Sequence, residues 1–361
     1  MPRNIYVLIC IIPVCFSCRY SHDTQTDSSD RITITDAAGR RVEVSKNANI
    51  ILVFCQTEIL RVLQADDRVV AVNRWVSQLH CSENPLICNK PVIGGFGPGD
   101  VNYEKIIEIA DTTPGEDIVL TYNKPWADDV ENKLGNIEGI KVVKLNLFIS
   151  ENFEDELKTL AKILDREKQC MKYLSWRDSI TGEITQRLRQ AKVEDKVKIY
   201  WSSSAKGGYN TANKESGASK LISLAGGINI ADDLPLSSVK VSPEWIVTEN
   251  PDIIISHAAY IRHVSGIKLG YDFEPGDTME LKKILKKYTA LPGISKTNAA
   301  KNKKVHFICD DLMFGPMQPI GAIYLAKWFY PSVFDDIDPE ETIKEFYSSF
   351  MQLPPKGIFI Y

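Results

Sequence analysis

Short apolar runs and helical spacings alternate along most of this chain. Runs at 50–54, 69–72, 118–120 and 141–145 stand between 3.6-residue patterns at 57–64, 102–110 and 128–134. That alternation predicts parallel strands with crossover helices, because a parallel pair cannot be joined by a tight turn. A second series follows, with strands expected at 197–201, 252–255 and 305–308 and helices at 217–225, 242–249, 278–288 and 319–328. Between the two lies "ENFEDELKTLAKILDREKQCMKYLSWRDSITGEITQRLRQAK", which has no proline and a single glycine, Gly182. It predicts a short helix to about Leu164 and a long one from about Arg166 to Ala191, about 38 Å at 1.5 Å per residue. The expected fold class is α/β: two Rossmann-like lobes with parallel sheets, 31–150 and 193–361, joined by one long α-helix within 151–192.

The two series share a phrase. "VNYEKIIEI" followed by "PGEDIVLTY" parallels "VSPEWIVTE" followed by "NPDIIISHA": Val-x-x-Glu-x-Ile, a turn with proline, then Asp-Ile and further aliphatics. Upstream, "NIILVFCQTEILRVLQADDRVVAVN" has its counterpart in "KVKIYWSSS" and "GASKLISLAGGINIADD", each a strand, a polar turn, a helix and a second strand. The stretch "GGFGPGDVNYEKIIEI" invites comparison with a phosphate cradle. Its spacing does not fit: Asp100 stands where a dinucleotide fingerprint needs its third glycine, and no Lys-Ser/Thr follows as in a P-loop. Asp100 and Glu104 would also set negative charge where a phosphate would sit. Two readings remain, a turn that lets backbone approach a ligand at a cleft wall and a bare structural turn.

At 361 residues, 44% apolar and 25% charged, the chain is long enough for two cores, and its net charge of −4 offers nothing to nucleic acid. The start changes the picture. "MPRNIYVLICIIPVCFSC" carries Arg3 and then an apolar run from Ile5 to Val14, too short to span a bilayer and sized like a signal-peptide core. Residues 1–17 are expected to be a signal peptide. Ser17-Cys18 and the polar "RYSHDTQTDSSD" then resemble a bacterial lipoprotein site, with Cys18 lipidated and 18–30 a tether; a plain secretory signal with an incidental cysteine is the alternative. Beyond Cys18 stand Cys55, Cys81, Cys88, Cys170 and Cys309. Cys81 and Cys88 share a short polar loop and form a candidate disulfide rather than a zinc pair, leaving free thiols elsewhere.

Catalytic patterns are missing: there is no His-Glu-x-x-His, no Gly-x-Ser-x-Gly and no Asp-rich calcium loop. The histidines are His22, in the tether, and His80, His257, His263 and His306; only His257 and His263 lie close enough to suggest a shared cleft. Asp310-Asp311 and Asp335-Asp336 read as solvated turns. No catalytic residue, no metal site and no cofactor is expected.

The ordered motifs decide between binding and catalysis. "ITITDAAGRRVEV" is similar to an opening β-hairpin, "NIILVFCQTEILRVLQADDRVVAVNRW" to a first βαβ unit, and "GGFGPGDVNYEKIIEIADTTPGEDIVL" and "VSPEWIVTENPDIIIS" to two repeated elements. Together with "GAIYLAKWFYPSVFDDIDPEETIKEFYSSF", they make the chain resemble the periplasmic substrate-binding proteins of ABC importers for ferric siderophores, haem and cobalamin, in lipoprotein form. The resemblance implies a monomer in the periplasm, anchored through Cys18, that captures a metal chelate and delivers it to a membrane permease dimer. It places Glu104 and Glu244, one per lobe, against arginine pockets of the two permease subunits; the plainer reading is two helix-start acids. The ligand is expected between the lobes at the carboxyl ends of the strands. Residues there are Gln56, Arg74, Trp75, the Gly95-Phe96-Gly97 turn, Tyr122, Trp126, Ser203 to Tyr209, His257, Tyr260, Arg262, Met313 and Phe314. Aromatics suit a flat macrocycle, and arginines its carboxylates. "RHVSGIKLGYDFEPGDTMELKKILKKY" reads as a flap over the cleft. The alternatives are a receptor for an oxyanion such as molybdate, held by Arg74 and Arg262, and an exported enzyme with His257 as base.

Overall fold

Asn49–Leu52 and Asp117–Thr121 carry apolar residues at consecutive positions because both faces of the strands they form are covered. Ile50, Leu52, Ile118 and Leu120 enter one buried cluster, and Ile51 and Val119 enter another on the opposite face. The computed structural model describes residues 30–54, 57–95, 97–147, 151–203, 209–236, 238–271, 273 and 275–361. Cys18, Cys55, Gln56, Phe96 and Ser204–Gly208 therefore lie outside the described residues, as does the side chain of Trp126.

The first half opens with an antiparallel hairpin, β1 (Arg31–Thr35) and β2 (Arg41–Ser45). Then follow β3 (Asn49–Leu52), α1 (Glu58–Val62), β4 (Val69–Ala71), α2 (Arg74–Leu79), α3 (Tyr103–Thr112), β5 (Asp117–Thr121), α4 (Asp128–Leu134) and β6 (Ile140–Lys144). Its sheet runs β4-β3-β5-β6, parallel throughout. Two helices join the halves, α5 (Phe153–Leu164) and the 24-residue α6 (Glu167–Gln190). Asp165, in the left-handed conformation with φ 55°, ends the first.

The second half comprises β7 (Lys198–Ser202), β8 (Asn210–Thr211), α7 (Gly217–Leu224), β9 (Ile228–Asn229), β10 (Val239–Lys240), α8 (Pro243–Glu249), β11 (Ile253–His257) and α9 (Ala259–Ser265). After these come α10 (Thr278–Thr289), α11 (Asn298–Lys301), β12 (Val305–Ile308), α12 (Asp310–Met313), α13 (Gln318–Phe329) and α14 (Pro339–Phe346). Its sheet runs β9-β7-β11-β12, again all parallel. In chain order each half therefore repeats one topology: second strand, first, third, fourth. The repeated phrase lands on equivalent helices, α3 and α8, each capped by a side chain at its start, Asn102 accepting from Lys105 N and Ser242 from Trp245 N.

Two expectations change. The segment read as a flap is pinned down: α9 occupies its start, Ile267, Leu269, Tyr271 and Phe273 are buried, and Gly270 bridges Ile358. The apolar residues spaced between its polar ones are what anchor it. The carboxyl-terminal residues also do more than close the second lobe. A π-helical turn at Tyr347–Met351, continuing α14, packs on α1 of the first half, where Arg61 donates to the Met351 carbonyl. Phe346 and Phe350 pack against Trp176 of α6. The halves are thus tied by a second crossing besides the long helix.

Candidate ligand site

Between the two sheets, at the carboxyl ends of their strands, lies a cavity of about 560 Å³. The first half supplies its wall from three strand ends. Phe54 follows β3, and Thr57 and Glu58 open α1. Asn73 follows β4, where its side chain caps α2 by accepting from Val76 N at 3.1 Å and donates to the Val53 carbonyl at 3.0 Å, which locks two strand ends together. Tyr122 follows β5, its ring 6.3 Å from that of Phe54.

The glycine turn forms part of this wall through Gly95 and Gly97. Gly94 has φ +82°, and a Cβ there would sit 1.7 Å from the Asp100 carbonyl oxygen. The turn therefore needs glycine for backbone packing at the cleft, and the acid that spoils the phosphate pattern, Asp100, pairs at 3.2 Å with Arg74.

Polar groups gather at one end. Trp75 of α2 stacks on His80, ring centroids 5.3 Å apart, and His80 Nδ1 lies 3.0 Å from Glu83 Oε2. His80 and Glu83 are only 7% and 2% exposed. Their loop is held by the Cys81–Cys88 disulfide and by Asn84, whose backbone N and side-chain Nδ2 both donate to the His80 carbonyl. The second half contributes Asp310, Asp311 and Phe314 from and just beyond α12, and Tyr347 and Met351 from the terminal turn. The Tyr347 hydroxyl lies 3.4 Å from Glu83 Oε1, and His257 Nε2 lies 2.5 Å from Asp310 Oδ1.

Four carboxylates thus share one cavity, with the consequence expected of crowded acids. Burial pushes the Glu58 carboxyl up, with Glu83 adding and His80 opposing. Burial likewise pushes Asp311 well above the usual range, reinforced by Glu83 and Glu58. Burial also pushes Asp310 upward, but the His257 hydrogen bond and charge, with Arg262 and His80, carry it below its ordinary value. No arginine or lysine is among the described residues lining the cavity. Its walls are aromatic and its polar end is lined with carboxyl groups, oxygen donors that suit a metal ion better than an oxyanion.

Of the residues singled out from sequence, Trp75, Tyr122, Phe314 and the two turn glycines line this cavity. His257 stands behind it, holding Asp310 and meeting Phe314 edge to face at 6.4 Å. Arg262 sits over the Trp75 ring at 5.9 Å, in a side recess shared with Lys268. The others are elsewhere. Tyr260 packs among Tyr288 and Phe307, and Met313 is fully buried in the core. Arg74 faces Asp100, and Tyr209 donates to the Pro292 carbonyl near α8. His263 is exposed on α9, and half-buried His306 stacks on Trp328. Asp310 and Asp311 are not a solvated turn: they begin α12 and face the cavity. Nor is the region without metal-ligating groups, because Glu58, His80 and Glu83 converge there. Position would have revealed Glu58 and Asp310, each just past a strand's carboxyl end; the His80-x-x-Glu83 pair inside the cysteine loop was the other sign.

Glu104 and Glu244 are both exposed, each in the first turn of its helix, α3 and α8. Hydrogen bonds from its own backbone N–H and from Ser242 hold the Glu244 carboxyl below its ordinary range.

A family model described as periplasmic binding protein matches residues 50–312. Among solved structures, the fold is similar to the TroA-like periplasmic binding protein FepB of Veillonella parvula, at 22% identity over 91% of this chain and 99% of that one, TM-score 0.72. It is similar also to the Haemophilus influenzae molybdate-binding protein MolA with molybdate bound, at 20% identity over 90% and 99% of the chains, TM-score 0.69. Helicobacter pylori CeuE in its Ni-His complex aligns at 20% identity over 90% and 96%, TM-score 0.65. No curated protein sequence matches significantly. With two like lobes, a long joining helix and a family match across both sheets, the chain belongs to the periplasmic binding protein family.

Proposed function

We propose that this protein is the extracytoplasmic receptor of an ABC importer and that it captures a metal complex between its lobes without altering it chemically. The observation that carries this reading is the composition of the cavity: Phe54, Trp75, Tyr122 and Phe314 on its walls, with Glu58, Glu83, Asp310 and Asp311 gathered at one end. Aromatic faces hold a flat or apolar organic shell, while carboxylates favour a positively charged centre. A tetrahedral oxyanion would find no arginine or lysine among the described residues lining the cavity. Among the solved relatives, one structure carries molybdate and another nickel with histidine, so the fold itself accommodates both an oxyanion and a metal with an organic partner. This chain's side chains favour the metal complex. Export through residues 1–17 and a lipid on Cys18 complete the reading, keeping the receptor near its permease.

Docking falls to Glu104 and Glu244. Equivalent positions on two like lobes suit a twofold permease, and an exposed ion pair contributes only about 0–1 kcal/mol, weak enough for repeated release. Changing both to Ala should leave ligand affinity at the wild-type value while abolishing stimulation of permease ATPase activity in liposomes. Full stimulation by the double variant would remove these residues from the docking role.

A further inference from the structure

Glu58, His80 and Glu83 each bring a ligand atom to one corner of the cavity, and the three atoms lie within 4.8 Å of one another. We propose that this corner coordinates a divalent transition-metal ion directly, through the His80 imidazole and the Glu58 and Glu83 carboxylates, while a small chelator between the aromatic walls fills the remaining positions. The inference rests on the receptor reading above and names its ligand more narrowly.

Several independent features converge. The His80 ring is fixed on both sides, by Trp75 stacking at 5.3 Å and by the Nδ1 contact with Glu83 at 3.0 Å. His80 Nδ1 and Glu83 Oε2 are 3.0 Å apart, the spacing of two neighbouring ligands on one ion, so a metal can take the place of the proton between them. The loop carrying both residues is stapled by Cys81–Cys88, so the geometry exists before anything binds. His257 is engaged with Asp310, and Arg262 and Lys268 line a side recess that His80, Asp310 and Asp311 also border. The acids Glu58, Glu83 and Asp311 thus face a shared space, with the Tyr347 hydroxyl beside them.

The donor set narrows the metal. One imidazole with two carboxylates suits zinc, nickel, cobalt or iron better than magnesium or calcium, which take oxygen alone, or copper(I), which prefers sulfur. The volume narrows the form. About 560 Å³ is far more than an ion fills, and Phe54, Tyr122 and Phe314 offer apolar surface to an organic partner.

Titration calorimetry and tryptophan fluorescence test this with Ni²⁺, Zn²⁺, a Ni²⁺–bipyridine complex and molybdate. One Ni²⁺ per chain is expected, with paramagnetic quenching of Trp75 that Zn²⁺ does not reproduce and that Trp75→Phe removes. His80→Ala and Glu83→Gln should each weaken Ni²⁺ binding roughly 10–100-fold. His263→Ala, on the exposed face of α9, should bind as the wild type does. Melting curves check folding, and if His80→Ala does not fold, the isosteric Glu83→Gln decides. Metal complexes bound equally well by wild type and a folded Glu83→Gln would overturn the coordination proposal and leave the receptor reading intact. Binding of molybdate with no response to any metal or complex would overturn both.

Discussion

Asp117 shows how a single residue records the limits of a parallel sheet. It begins β5 with its side chain fully buried, and burial pushes its carboxyl up to about 6, with Asn49 opposing and Glu116 adding. The folded state therefore holds a proton that the unfolded chain releases near pH 4. The stability contributed by that proton is present below pH 4 and is lost as pH rises through 6. At neutral pH the ionised form costs about 2–3 kcal/mol. Asp117→Asn should thus raise stability by about 1–3 kcal/mol in urea unfolding at pH 7.5, with the gain gone at pH 4. A variant less stable than wild type at pH 7.5 would contradict this. Other residues explain what the chain disclosed about its site. Trp75, Tyr122 and Phe314 were legible because strand ends can be found from apolar runs, and position then implicates the next side chains. Tyr260 and Met313 occupy similar sequence positions yet point into the core, since the face presented after a strand end depends on packing that no local pattern encodes.

At the scale of elements, periodicity served well where a segment has one buried face. The helix expected at 128–134 matches α4, the strand at 305–308 matches β12, and the long connecting helix begins and ends within a residue or so of its expected bounds. Short helices such as α2, α9 and α12 were passed over. At six and four residues, α2 and α12 are too short to display a helical period. Those same elements carry Trp75, Arg262, Asp310 and Asp311, so the ligand site was harder to read than the fold. The loop after α2 depends on its staple. A disulfide closing a separation of 7 residues stabilises by about 2.5 kcal/mol in the chain-entropy account. Replacing both Cys81 and Cys88 with Ser should lower stability by about that much and also weaken ligand binding, because His80 and Glu83 would no longer be held. Unchanged affinity in the double variant, measured by calorimetry, would show that the staple does not organise the site.

The whole molecule is two copies of one topology with a cavity between them, tied twice. Helix α6 is one tie, and the terminal turn packed on α1 is the other. Two crossings that both pack into the hydrophobic core leave little freedom for hinge opening, so the cavity is largely formed before a ligand arrives. Spin labels on exposed Asp129 of α4 and Lys287 of α10 should report an interlobe distance that changes by no more than about 2 Å on ligand addition. A larger closure would mean that the terminal turn releases α1 during binding. The repeat was visible in the sequence because both lobes keep Val-x-x-Glu-x-Ile before an Asp-Ile strand. The second crossing was not, since a polar helix near a chain end gives no sign of which lobe receives its apolar face.

The central claim is that the cavity between the lobes selects a metal complex through aromatic walls and carboxylates. Titration calorimetry of the chain lacking residues 1–17 tests it most directly, using haem, cobalamin, ferric chelates and molybdate against wild type and a Tyr122→Ala, Phe314→Ala double variant. The account predicts that at least one metal complex binds at one per chain and that the double variant loses most of that affinity. Tight binding of molybdate, unaffected by removing the two rings, would contradict it.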